Sequence, residues 1–149
     1  MNHVGSSVNL CAVQEGKILL LRRISQRWAD GQLQIPGGKT EPGESPLAAV
    51  LRESHEELGI EIGPDDIRYI ATVAVRDGDN EYFALQFQLL HPEKFKFHIM
   101  EPQKCSELVW ANINNLPEDT IDPFKDVIAQ TLVKGRPYIQ VGYTDTACP

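Results

Sequence analysis

The chain has 149 residues, 42% of them hydrophobic and 23% charged, with a formal net charge of −7. That length suits one compact domain spanning residues 1–149, and the composition excludes both intrinsic disorder and a membrane-embedded protein. The acidic balance argues against a protein that tracks a nucleic-acid polymer, and no apolar run approaches the length of a bilayer span.

The segment Met1–Ser7 lacks the basic cluster and apolar stretch of a signal peptide. Ser7–Val13 and Lys17–Arg23 are apolar and flank the turn signal Gln14-Glu15-Gly16, which predicts a hairpin. Ile24–Asp30 is polar and irregular; Gln32–Ile35 reads as a short strand ended by Pro36-Gly37-Gly38, and Lys39–Glu44 as a loop turning at Pro42-Gly43. A helix is predicted over Pro46–Leu58, with Ser45 as N-cap, Pro46 at the first position and Gly59 as the stop. Leu47, Val50, Leu51, Ser54 and Leu58 form its predicted packing face. Ile67–Arg76 and Glu81–Leu90 predict a second hairpin across Asp77-Gly78-Asp79-Asn80. His91–Cys105 reads as a long loop, Glu107–Asn112 as a strand and Asp122–Lys134 as a second helix closed by Gly135. Tyr138–Val141 is a candidate short strand in the tail. The strand and helix alternation indicates a mixed α/β domain with helices packed on a sheet. Cys11, Cys105 and Cys148 are widely spaced and odd in number, which argues against disulfides or a zinc site; the expected compartment is a reducing cytoplasm, with Cys11 in the core.

Glu53, Glu56 and Glu57 line up over one turn of the first helix by i,i+3 and i,i+4 spacing. Carboxylates that close repel one another, raise each other's pKa values, and sit at the wrong end of the helix dipole. A solvated acidic face, with Arg52 paired to Glu56, is the plain reading of such a run. The sharper reading is a set of hard oxygen ligands for Mg²⁺ or Mn²⁺. A bound cation would also supply the positive charge that an acidic chain lacks for holding a polyanion. His55 is placed off the carboxylate face.

The run Gly38-Lys39-Thr40-Glu41-Pro42-Gly43-Glu44, leading to Arg52-Glu53-Ser54-His55-Glu56-Glu57-Leu58-Gly59-Ile60, resembles the Nudix box. Every fixed position of that pattern is matched at its spacing, and Ser54 alone departs, standing where the family places an aliphatic residue. The resemblance implies a Nudix-type α/β/α sandwich with a mixed central sheet, and a metal-dependent hydrolase that cuts a phosphoanhydride bond in a nucleoside diphosphate derivative. It implies the Gly37 carbonyl, Glu53, Glu56 and Glu57 as metal ligands, and Glu44 and Arg52 as residues that orient them. A carboxylate takes the proton from the attacking water: Glu53, or Glu101 or Glu107 from the loop side. In the same comparison Gly38, Lys39 and Arg23 are placed near the substrate, and Trp28, Phe83 and Trp110 are candidate stacking surfaces, each weighed against an ordinary surface or packing role.

Glu101–Trp110 followed by Leu116-Pro117 is similar to a stretch of the MutT-like members of the family, which favours a (deoxy)nucleoside triphosphate as small-molecule substrate. An oxidised purine nucleotide is one option, although the guanine-reading Asn of those members has no counterpart around Thr120–Asp122. The proline that marks ADP-ribose hydrolases is missing from Ala74–Arg76. Dinucleoside polyphosphates, nucleotide sugars and capped RNA ends stay open. So does a nucleotide sensor that binds without cutting, although such proteins often lose a catalytic Glu. Quaternary structure is not encoded legibly, and a homodimer is one open arrangement.

Overall fold

Strand β1 (Gly5–Gln14) sets the layering in the computed structural model, which describes residues 4–144. Successive side chains of a strand point to opposite faces. Val8, Leu10 and Ala12 therefore enter one core, and Cys11 and Val13 the other. Along one edge β1 runs parallel to β6 (Asn80–Leu89), from Gly5 opposite Tyr82 to Ala12 opposite Leu89. Along its other edge β1 changes partner half-way. Ser7–Asn9 pair antiparallel with β4 (Gly37–Lys39), and Val13–Gln14 close the predicted hairpin with β2 (Lys17–Arg23).

Further pairings complete a mixed sheet. β2 takes β3 (Leu33–Gln34) on one side and β7 (Cys105–Asn112) on the other. β5 (Ile67–Asp77) forms a hairpin with β6 and carries β8 (Tyr138–Val141) parallel at its far edge. The main path runs β3-β2-β1-β6-β5-β8.

Helix α1 (Pro46–Leu58) covers one face through Ala49, Val50, Ser54 and Leu58. Ser45 caps it, its hydroxyl accepting from the Ala48 N–H at 3.1 Å. Gly59 ends it in a left-handed conformation at φ 67°, donating to the His55 carbonyl. Helix α2 (Asp122–Val127), which continues as a π-helical stretch over Ile128–Val133, covers the other face with Val127 and Ile128. The result is the α/β/α sandwich expected from the sequence.

Several local readings change. Leu47 is 40% exposed and the small Ala49 is fully buried in its place, so the packed stripe is centred on Ala49 and Val50. Ser54 is tolerated in that stripe because its hydroxyl donates to the Val50 carbonyl one turn back at 2.6 Å, which leaves no bare polar atom. Gly37–Lys39, read as the end of a strand and the start of a loop, is itself a strand; paired glycines carry no alternation to reveal it. The His91–Cys105 loop is a strap. Phe95 and Phe97 pack against the core beneath α1, and the N–H of His98 donates to the Leu58 carbonyl at 2.9 Å. Part of the tail, including Cys148, lies outside the described residues.

Candidate active site

Pairing of β4 with β1 presses the Gly37-Gly38 pair against the last turns of α1. Gly37 adopts φ 153°, where a side chain would be strained and its Cβ would run into the Val8 carbonyl. A Cβ on Gly38 would run into the Glu53 carboxylate. Gly38 thus makes room for Glu53, and Gly37 for the close approach of β1. Glu57 binds the backbone of the same segment, its Oε2 accepting from the Gly37 N–H at 2.9 Å.

Arg52 organises the other carboxylates. Its Nε and Nη2 fork onto both oxygens of Glu44 at 2.7 and 2.9 Å, and Nη2 also reaches the Lys39 carbonyl at 3.1 Å. Its Nη1 bridges Glu53 and Glu56, each at 3.0 Å. The Arg52 guanidinium, with the Glu41 N–H, holds the Glu44 carboxyl down at about 2. Glu57 goes the other way. Burial, reinforced by the Glu53 carboxylate, pushes it up to about 8, and the Gly37 N–H offsets only part of this. Burial also raises Glu53.

Among the described residues, no three His, Cys, Asp or Glu side chains converge into a closed metal cage. Glu53 and Glu57 meet at the glycine pair of β4, whereas Glu56 is exposed and held by Arg52. The donor chemistry nevertheless fits a hard divalent cation. A buried carboxylate with one N–H donor and an acidic neighbour is short of positive charge, and its oxygens are the ligand type magnesium takes with water and phosphate completing the shell.

Glu57 opens into a cleft of about 300 Å³ lined by Arg23, Gln34, Gly37, Glu101, Lys104 and Cys105 among others. The strap supplies Glu101 and Lys104, joined by an ion pair at 2.8 Å. Of the other candidates, Glu107 is drawn to Arg22 at 2.8 Å, in a group that includes Asp119, and Lys39 is exposed and does not line the cleft. Trp28 sits beside Arg23, its ring centroid 5.0 Å from the guanidinium carbon. Trp110 instead packs edge-on against Phe97 on the far side of the strap, in a second groove, and Phe83 is exposed on β6. Cys11 is buried and its thiol pushed up to about 12, as suits a core residue. Sequence reasoning passed over Lys104 and Gln34. Neither belongs to a spaced motif, and only the strap and β3 bring them to the cleft.

A mixed sheet between two helical layers, with a glycine-bearing strand set against a glutamate-bearing helix, defines a Nudix-type hydrolase domain. The chain belongs to the Nudix family: the NUDIX domain model matches residues 1–132. It is 26% identical to the Bacillus subtilis protein "Uncharacterized Nudix hydrolase YvcI" over 140 residues, covering 93% of this chain and 86% of that protein. It is 50% identical to the Escherichia coli "CTP pyrophosphohydrolase" over 48 residues, 32% of this chain and 36% of that protein. In fold it is similar to a MutT NUDIX hydrolase from Burkholderia pseudomallei, with TM-score 0.73 and 23% identity over 87% of this chain and 98% of the other. The protein is thus a Nudix hydrolase, of the family that hydrolyses phosphoanhydride bonds and generally uses divalent cations.

Proposed function

We propose that the protein is a magnesium-dependent pyrophosphohydrolase that converts a (deoxy)nucleoside triphosphate to the monophosphate and pyrophosphate. The observation that carries this reading is Glu57, a buried carboxylate with no ion pair among the described residues, which lines the same cleft as Arg23 and Lys104. Glu53, Glu57 and the Gly37 carbonyl, with Glu56 after release from Arg52, are the residues that would hold the cation. When bound, Mg²⁺ supplies charge neutralisation for the polyphosphate and lowers the pKa of a coordinated water.

The chain's own groups do the rest. Lys104 leaves Glu101 for a phosphate oxygen, which frees the Glu101 carboxylate to take a proton from the attacking water. The water oxygen bonds to phosphorus, the bridging P–O bond to the neighbouring phosphate breaks, and the departing phosphate keeps the bridging oxygen. Arg52 holds Glu53 and Glu44 in register without touching substrate. The E. coli relative named for CTP pyrophosphohydrolysis supports a nucleoside triphosphate substrate.

A pyrophosphate-release assay with Mg²⁺ over a panel of nucleoside triphosphates, dinucleoside polyphosphates, nucleotide sugars and ADP-ribose tests the proposal. Monophosphate and pyrophosphate from a triphosphate uphold it. Binding without release would identify a sensor, and release only from another substrate group would overturn the substrate assignment.

A further inference from the structure

The cleft is lined by two chemically distinct sets of side chains. Glu57, Glu101 and Lys104 form one; Arg23, Gln34 and Ser25, with the apolar Leu21 and Ile24, form the other. In the second set Arg23 Nη1 donates to Gln34 Oε1 at 2.9 Å. A guanidinium only donates, so the Gln34 amide must turn its oxygen to Arg23 and leave its NH₂ group over. Gln34 is 9% exposed, and among the described residues that NH₂ group meets no acceptor. Arg23 Nε is buried without a partner. Ser25 Oγ already accepts from the N–H groups of Arg27 and Trp28 at 3.3 and 3.2 Å, so its own proton is available to donate.

Donors therefore exceed acceptors around Arg23 and Gln34, beside an exposed indole and two aliphatic side chains. A phosphate would meet the donors but gain nothing from the indole. A nucleobase meets both, since its edge accepts and its ring stacks. Unpaired donors also discriminate, because a ligand edge that presents its own N–H leaves them unmet.

We propose that Gln34 and Arg23, with Trp28 as platform, select the nucleotide's base by two adjacent hydrogen-bond acceptors: N3 and O2 of cytosine, or O6 and N7 of guanine. This rests on the reading of the site as a nucleoside triphosphate hydrolase. Adenine and uracil set an N–H group next to each acceptor on these edges, so one donor of the pair is opposed. 8-Oxoguanine carries a proton on N7 and is disfavoured against guanine at that edge for the same reason.

Two independent measurements test this. In a Trp110→Phe background, Trp28 is the remaining tryptophan, and its fluorescence reports CMP, GMP, AMP and UMP binding in chelator. In parallel, kcat/KM is measured with Mg²⁺ for the four triphosphates, in wild type and in Gln34→Glu. That variant keeps a partner for Arg23 and removes the free amide donor. CMP or GMP should quench at concentrations about tenfold below those of AMP and UMP, with the same order in kcat/KM, and Gln34→Glu should erase the difference. A preference for cytosine alone or guanine alone upholds the proposal and identifies the edge that is read. Equal treatment of the four bases, or a preference for adenine or uracil, overturns it while leaving the hydrolase reading intact. A uniform rise in KM for all four in Gln34→Glu, with unchanged ratios, also overturns it and assigns the donors to phosphate. If no triphosphate is cut, the hydrolase reading fails and the fluorescence order alone decides the base reading.

Discussion

Replacing Glu57 with Gln should make the metal-free protein more stable while removing its turnover. Glu57 is pushed from an ordinary value of 4.5 up to about 8, because burial and the Glu53 carboxylate both oppose its charge. A carboxyl raised in the folded state favours folding most below its unfolded pKa. That advantage drains away as pH climbs from 4.5 to about 8. At roughly 1.4 kcal/mol per pH unit the full cost approaches ~5 kcal/mol above that window. Gln fills nearly the same space and keeps an oxygen for the Gly37 N–H, but it brings an NH₂ group that needs its own acceptor, costing about 1–3 kcal/mol. A net gain of about 2–4 kcal/mol remains, or roughly 6–13 °C in melting temperature for a chain of this size. Calorimetry in chelator should show Glu57→Gln melting above wild type at pH 8 and below it near pH 4.5, where Glu57 is neutral in the folded protein and only the amide's cost remains. Added Mg²⁺ should raise the wild type and leave the variant nearly unmoved. A variant that melts below wild type at pH 8 in chelator would refute the argument that Glu57 is held for a cation.

Other substitutions separate positioning from packing. Gly38→Ala sets a methyl group against the Glu53 carboxylate, so Mn²⁺ affinity should fall about tenfold or more while the melting temperature moves little; an unchanged affinity would show that Glu53 does not need its place at the glycine pair. Arg52→Lys keeps the charge but loses the fork onto Glu44 and the bridge to Glu53 and Glu56, and should cost about 1–3 kcal/mol in denaturant melts along with most turnover. Glu44, held down at about 2 by Arg52, contributes stability that is complete above pH 4.5 and lost as pH falls towards 2; Glu44→Gln should flatten the acid limb of a stability–pH profile, and an unaltered limb would remove this pair from the account. Lys104→Ala should raise KM by about tenfold with a smaller change in kcat, whereas a pure kcat loss would recast Lys104 as a holder of Glu101 rather than of phosphate.

The helix α1, its two caps and the acids it carries were legible because each rests on local chemistry: Ser45 before Pro46, Gly59 after Leu58, and a fixed spacing of Glu53, Glu56 and Glu57. The two hairpins were legible for the same reason, since alternation and turn residues lie side by side in the chain. What stayed hidden is long-range. Gly37–Lys39 pairs with Ser7–Asn9 through backbone groups that no side-chain pattern announces. The strap reaches the site because Phe95 and Phe97 find the α1 core and His98 finds the Leu58 carbonyl, contacts that a loop-like sequence does not advertise. Lys104 and Gln34 enter the cleft as passengers on such elements. Lys39 shows the converse: a basic residue beside the motif, yet exposed and not among the residues that line the cleft.

Binding of Mn²⁺, followed by electron paramagnetic resonance as the free-ion signal disappears, tests the role of the α1 acids most directly. The wild-type protein with nucleotide should take up the ion, and a Glu53→Gln/Glu57→Gln protein of intact fold should leave it free. Equal uptake by both proteins, or none by the wild type, would contradict the assignment of these carboxylates to a catalytic cation.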